Sequence, residues 1–145
     1  MTGYAFTDFE AVLDAIQGEL AAIAPQRLVT RDFKDFTQHP RDERQNGVFT
    51  ILPGPRTGYS YEYRPGDLPR CQIFVYGELT LPGDPKGREI DAAEAAMARD
   101  LEQLANQAPE TNGLEELVLE SITGSAQTLR PTASILAVFV YGVDR

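Results

Sequence analysis

Two stretches of the chain repeat apolar residues at helical spacing. In the first, Phe9, Val12, Leu13, Ile16, Leu20 and Ile23 form one stripe, and Asp8, Glu10, Asp14, Gln17 and Glu19 lie outside it. Thr7, followed three residues later by Glu10, supplies a T-x-x-E capping box, and Pro25 supplies a stop. In the second, "REIDAAEAAMARDLEQLANQ", a single seam runs through Ile90, Ala93, Met97, Leu101, Leu104 and Ala108, with Pro109 behind it. Both stripes predict helices that pack one face onto a core.

The remaining apolar runs have the period of strands. "RLVTRDF" alternates Leu28, Thr30 and Asp32 against Val29, Arg31 and Phe33. "VFTILPG" predicts a strand that ends at Pro53-Gly54. "CQIFVYGELTL" puts Cys71, Ile73, Val75, Leu79 and Leu81 on one face, and Phe74 and Tyr76 on the other with Gln72, Glu78 and Thr80. "ELVLESIT" and the closing "TASILAVFVYGVDR" complete the set. Between them, residues 34–47 are polar and predict a long loop, ended by Asn46-Gly47. Residues 53–70 form an arm rich in Pro and Gly, with Tyr59, Tyr61 and Tyr63 on one face of a short edge segment. Strands cluster instead of alternating with helices. The expected class is therefore α+β, one domain over residues 1–145, with a mainly antiparallel sheet and two helices on one face.

The closing strand breaks the usual rule for such a sheet. Ile135, Ala137, Phe139, Tyr141 and Val143 point one way, and the opposite side carries Leu136, Val138 and Val140 instead of polar residues. Two helical seams cover one face. The other needs the aromatic arm, a second layer of the same chain, or a neighbouring subunit, and the neighbour is the expectation here.

Composition narrows the classes. The 145 residues are 42% hydrophobic and 24% charged, as in ordinary globular proteins. The apolar runs fall short of the roughly 20 residues of a membrane span. The first residues lack a basic start and an apolar signal core, and there is one cysteine, so the expected location is the cytoplasm. The net charge of −9 argues against general or sequence-specific nucleic-acid binding. The charge is uneven: residues 26–70 hold eight Lys/Arg and six Asp/Glu, and the remainder holds five and sixteen. Such segregation suits complementary faces in self-association, although solvated charge also segregates by chance.

The search for chemistry finds no catalytic, metal or cofactor-binding motif. "GPRTG" and "GDPKGRE" lack the lysine and hydroxyl of a phosphate-binding loop and read as turns. One His and one Cys do not make the usual zinc site. His39, near Asp42, has the residue type of a general base, but a lone His in a charged loop reads more simply as solvated. Cys71 alternates with Ile73 and Val75 and reads as a core thiol. Arg56, Arg64 and Arg70 surround the three arm tyrosines, and Tyr with Arg is the composition of protein interfaces.

Taken in order, the helix near the start, the polar loop, "GVFTILPG", the aromatic arm, "QIFVYGEL", "DAAEAAMARDLEQLA" and the paired strands ending "SILAVFVYGVD" resemble the tail terminator, or tail-completion, proteins of long-tailed bacteriophages. The resemblance covers most of the chain and lies in size, element order and closing strand. It implies a structural virion or prophage protein without catalytic residues or cofactors. Its partners would be itself, typically as a ring of six, the tail tube protein and a head-completion protein. The ring would stop tube growth and offer a surface for head joining, first in the host cytoplasm and then in the virion tail. By position, the contact stretches are Thr37–Asn46 and Arg56–Arg70, with the proline-rich arm as a departure. The interface candidates are therefore Arg56, Tyr59, Tyr61, Tyr63, Arg64, Arg70, Leu136, Val138 and Val140. Alternatives are a head–tail connector or neck protein, a peptide- or ligand-binding module built on the Tyr59–Tyr63 arm, and a small enzyme using carboxylates or His39.

Overall fold

The computed structural model describes residues 9–57 and 70–142. Helix α1 (Phe9–Ile23) leads to a short strand β1 (Leu28–Thr30), a 3-10 turn (Phe36–Gln38) and a short helix α2 (Arg41–Asn46). Strands β2 (Val48–Thr57) and β3 (Arg70–Thr80) follow, then the long helix α3 (Gly87–Gln107) and the paired strands β4 (Leu117–Gly124) and β5 (Thr132–Tyr141). The five strands form one sheet in the order β1-β2-β3-β5-β4. β1 runs parallel to β2 and every other pair is antiparallel. The fold is α+β, with both long helices on the same face of the sheet.

The buried stripe of α1 is Phe9, Val12, Leu13, Ile16 and Leu20, as the periodicity predicts. That of α3 is Ile90, Met97, Leu101 and Leu104, with Ala108 buried just beyond and Ala93 partly buried. Thr7, the expected cap of α1, lies outside the described residues. The helices rest on rows of paired strand residues: Ile51, Val75 and Ala137, then Ile73 and Phe139, then Cys71 and Tyr141. The Tyr141 hydroxyl donates to the Gly113 carbonyl at 2.8 Å, which satisfies the one polar atom that this ring takes into the core.

One row of the core face carries glycines where side chains would block the helix. Phe49, Gly77, Ile135 and Gly124 are register partners across β2, β3, β5 and β4. A Cβ on Gly77 would lie 2.9 Å from the Phe49 ring and 3.1 Å from Met97 Sδ, and a Cβ on Gly124 would lie 2.5 Å from Glu94 Oε1. These gaps let α3 approach the sheet closely. They also admit Glu94, the one buried charged residue of the helix. Glu94 accepts hydrogen bonds from the Ser134 amide at 2.9 Å and from the amide and hydroxyl of Ser125. A carboxylate on the core side is thus held by the backbone of the β4–β5 connection.

Two readings of the middle are corrected. Residues 34–47 do not form a loop throughout. Asp35 caps the 3-10 turn through the Thr37 amide at 3.1 Å. Pro40 precedes α2, Asp42 and Glu43 occupy its first turn, and Gly47, at φ 101°, ends it. β2 does not stop at Pro53-Gly54. It continues to Thr57 across a register shift between Pro53 and Arg56, so the bulge absorbs the prolines. The bare α-carbon of Gly54 faces the Phe74 ring, where a Cβ would lie 3.0 Å away.

Arg27 joins the pieces. Its Nε donates to Asp100 Oδ2 of α3 at 3.0 Å, its Nη1 donates to the Asn46 carbonyl at the end of α2 at 3.1 Å, and its guanidinium stands 5.8 Å from the Phe49 ring centre. The side chain is 9% exposed. Gly47 leaves room for it, since a Cβ there would meet Nη1 at 2.6 Å. Removing Arg27 leaves the largely covered Asp100 carboxylate without its ion-pair partner and takes a donor from the Asn46 carbonyl. Arg27→Ala is expected to cost about 3 kcal/mol, read as a lower urea midpoint with an unchanged slope. Arg27→Lys keeps the charge, cannot serve both acceptors in the same planar geometry, and should recover only part of the loss.

Candidate functional site

The face of the sheet away from α1 and α3 carries an apolar centre bordered by polar residues. Opposed residues on it form three rows. Thr50, Tyr76, Leu136 and Thr123 make one, Leu52, Phe74, Val138 and Ser121 the next, and Gln72, Val140 and Val118 the third. Leu52, Phe74, Leu136 and Val138 are each half-buried, with strand neighbours at their sides. Val118, at the β4 edge, is 59% exposed. Val140, expected to be an open position of this face, is already buried.

The β4 edge is broken by a bulge at Glu120, where the register shifts between Leu119 and Ser121. Arg70 reaches across from β3 to Glu120 at 2.9 Å. A bulge and a charge on an outer strand both discourage indiscriminate pairing there. Arg56 lies over the Phe9 ring at 4.6 Å. These two interface candidates therefore each hold a partner within the chain. Tyr59, Tyr61, Tyr63 and Arg64 lie outside the described residues, as does Val143.

Among the described residues, the stretch that follows β1 lies over one end of this face. Phe33, Lys34, Asp35 and Phe36 stand opposite Thr50, Tyr76, Glu78 and Ser134, and the space between them is a cavity of about 480 Å³. α2 packs beside β3. His39 corrects the expectation of a solvated residue. It is 5% exposed, its Nδ1 lies 3.0 Å from Glu43 Oε1, and its ring is tilted against Phe36 at 6.2 Å between centres. The histidine thus pins the 3-10 turn to the first turn of α2 and helps to hold the whole stretch on the sheet. It is not among the residues that line the cavity.

Glu78 does line it. Burial pushes its carboxyl above the ordinary range; His39 opposes the shift and Asp35 reinforces it. No hydrogen bond or ion pair links the Glu78 carboxylate to another described residue. Sequence reading passes over this residue because carboxylates are abundant here. The available signal is the alternation itself: Glu78 occupies the same face as Phe74 and Tyr76, where a carboxylate meets aromatic rings. The neighbours Asp35 and Phe36 come from a distant stretch, which strand periodicity does not reveal.

Chemistry elsewhere is sparse. Cys71 is buried in the core, as its alternation predicts, and burial raises its thiol pKa while Arg56 opposes the rise. Among the described residues, no three His, Cys, Asp or Glu side chains are grouped to hold a metal ion, and no helix is long and apolar enough to cross a membrane. Neither a scan against known protein families nor a search of characterised proteins returns a significant match for this sequence.

The raised Glu78 pKa carries a sign. A carboxyl that binds its proton more tightly in the folded state lowers stability as pH rises from the ordinary carboxylate range through its folded value. Glu78→Gln should therefore melt higher than the parent at neutral pH, with the difference closing as pH falls below the carboxylate range. Thermal melts of both proteins between about pH 3 and pH 8 test this.

Proposed function

We propose that this chain is a self-assembling structural subunit of the phage tail-terminator type. Copies of it form a ring that caps the tail tube, ends tube growth and offers the surface for head joining. The observation that carries this reading is the second apolar face of the sheet. Leu52, Phe74, Leu136 and Val138 are contiguous on it, and both long helices lie on the opposite side. Each aliphatic or aromatic side chain moved from partial exposure to full burial returns about 25 cal/mol per Å² of apolar surface. A neighbouring copy laid on this face collects that energy from several residues at once. The charge asymmetry supports the same arrangement, since residues 26–70 are net basic and the rest is strongly acidic. Rings need two different surfaces that fit each other, and a chain with unlike faces meets that requirement.

In this reading the protein works by shape and needs no catalytic group or cofactor. It acts in the host cytoplasm during assembly and stays in the virion tail. Its further partners are the tail tube protein on one side and a head-completion protein on the other.

Light scattering across protein concentration and salt is the test. A discrete species several times the 16.0 kDa subunit mass is expected. Val138→Glu, which places a charge in the middle of the apolar row, should return the protein to a monomer at a cost in stability of about 1 kcal/mol. A parent protein that stays monomeric at every concentration counts against the proposal.

A further inference from the structure

We propose that the cavity between the Phe33–Phe36 stretch and the sheet is a binding site for an organic cation: a guanidinium or primary ammonium group on a short aliphatic stem. At about 480 Å³ it falls within the range of small-ligand pockets, roughly 300–1,000 Å³. Its walls supply the parts that such a group needs. The rings of Phe33, Phe36 and Tyr76 line it, and aromatic faces attract cations. Phe33 is 76% exposed, so much of its ring is open to an incoming ligand.

The carboxylate of Glu78 faces the same space without an ion pair, and Asp35 adds a second negative charge. The Thr50 and Ser134 hydroxyls offer hydrogen bonds to the same ligand. Lys34 also lines the cavity but is exposed and forms no ion pair with either carboxylate among the described residues. Among the lining residues, two carboxylates against one ammonium set the sign of the ligand, and His39, outside the lining, is paired with Glu43. A half-buried carboxylate beside aromatic rings gains most from a cation that brings its own apolar stem.

The inference stands apart from the ring. The cation has two possible sources: a free small molecule, or an arginine or lysine side chain of a second copy. Agmatine, a guanidinium and a primary ammonium joined by a four-carbon stem, is the probe. N-butylurea keeps a planar head on a four-carbon stem without either charge.

Ligand-observed saturation-transfer NMR on the whole chain should show saturable agmatine binding and none for N-butylurea. Glu78→Gln should weaken agmatine about tenfold or more, as expected for loss of a charge-assisted hydrogen bond. Lys34→Gln should leave it equal or tighter. Solution mass measured with saturating agmatine identifies the source. A fall in mass assigns the site to a neighbour's side chain, an unchanged mass assigns it to a free cation, and both support the site. Absence of agmatine binding, equal binding of N-butylurea, or binding indifferent to Glu78→Gln overturns the proposal.

Discussion

The rest of the structure depends on one constraint: a sheet whose closing strand, β5, is apolar on both faces, in a chain whose long helices cover only one. β3 and β5 pair over their whole length, and the pairing fixes which residues share a face. Ile73, Val75, Ala137 and Phe139 go to the helices, so Phe74, Leu136 and Val138 must go to the other side. A slip of one residue in β3 would turn Gln72, Glu78 and Thr80 toward the helices, so its register is firmly set, whereas β5 offers apolar residues on either side. The stretch after β1 covers one end of the second face, with His39 as its anchor, and the rows around Phe74 and Val138 extend beyond that cover.

The helix-bearing face shows how closely the chain packs when it supplies both layers. Gly77 and Gly124 open a track in the sheet, Met97 and Glu94 of α3 fill it, and Glu94 in turn holds Ser125 and Ser134. Arg27 then ties α3 to the junction of α2 and β2 through Asp100 and the Asn46 carbonyl. A buried arginine is justified here because every group it touches needs a partner. The second face has no equivalent keystone among the described residues. The contrast between the two faces is the physical reason to read the second as a surface for assembly.

Much of this was legible in the sequence, and the parts that were not have physical reasons. The stripes of α1 and α3 and the period of β3 and β5 are long signals, and most of the residues they predict lie in the core, with Ile23, Leu81 and Ala93 partly buried at its margin and Val143 outside the described residues. α2 was hidden because "RDERQN" has no apolar stripe, and its start and stop signals, Pro40 and Gly47, also suit a loop. β2 runs past Pro53 because a bulge accommodates what a regular ladder excludes. Glu94 sits within a helix that otherwise reads as acidic and solvated, and its burial depends on a glycine 30 positions away at Gly124. The cavity joins residues 33–36 to Glu78, a contact between stretches that no local pattern connects. Tyr59, Tyr61 and Tyr63, the most conspicuous interface signal in the sequence, lie outside the described residues.

The central claim is that a second copy covers the second face. The most direct test places a thiol there. Cys71 is buried, so Val138→Cys provides one accessible thiol at the middle of the apolar row. Its rate of reaction with a small thiol reagent is measured from dilute to concentrated protein. Cover by a neighbour predicts that labelling slows as concentration rises, in step with the growth in solution mass. A rate that is the same at every concentration while the mass remains that of a monomer would contradict the account.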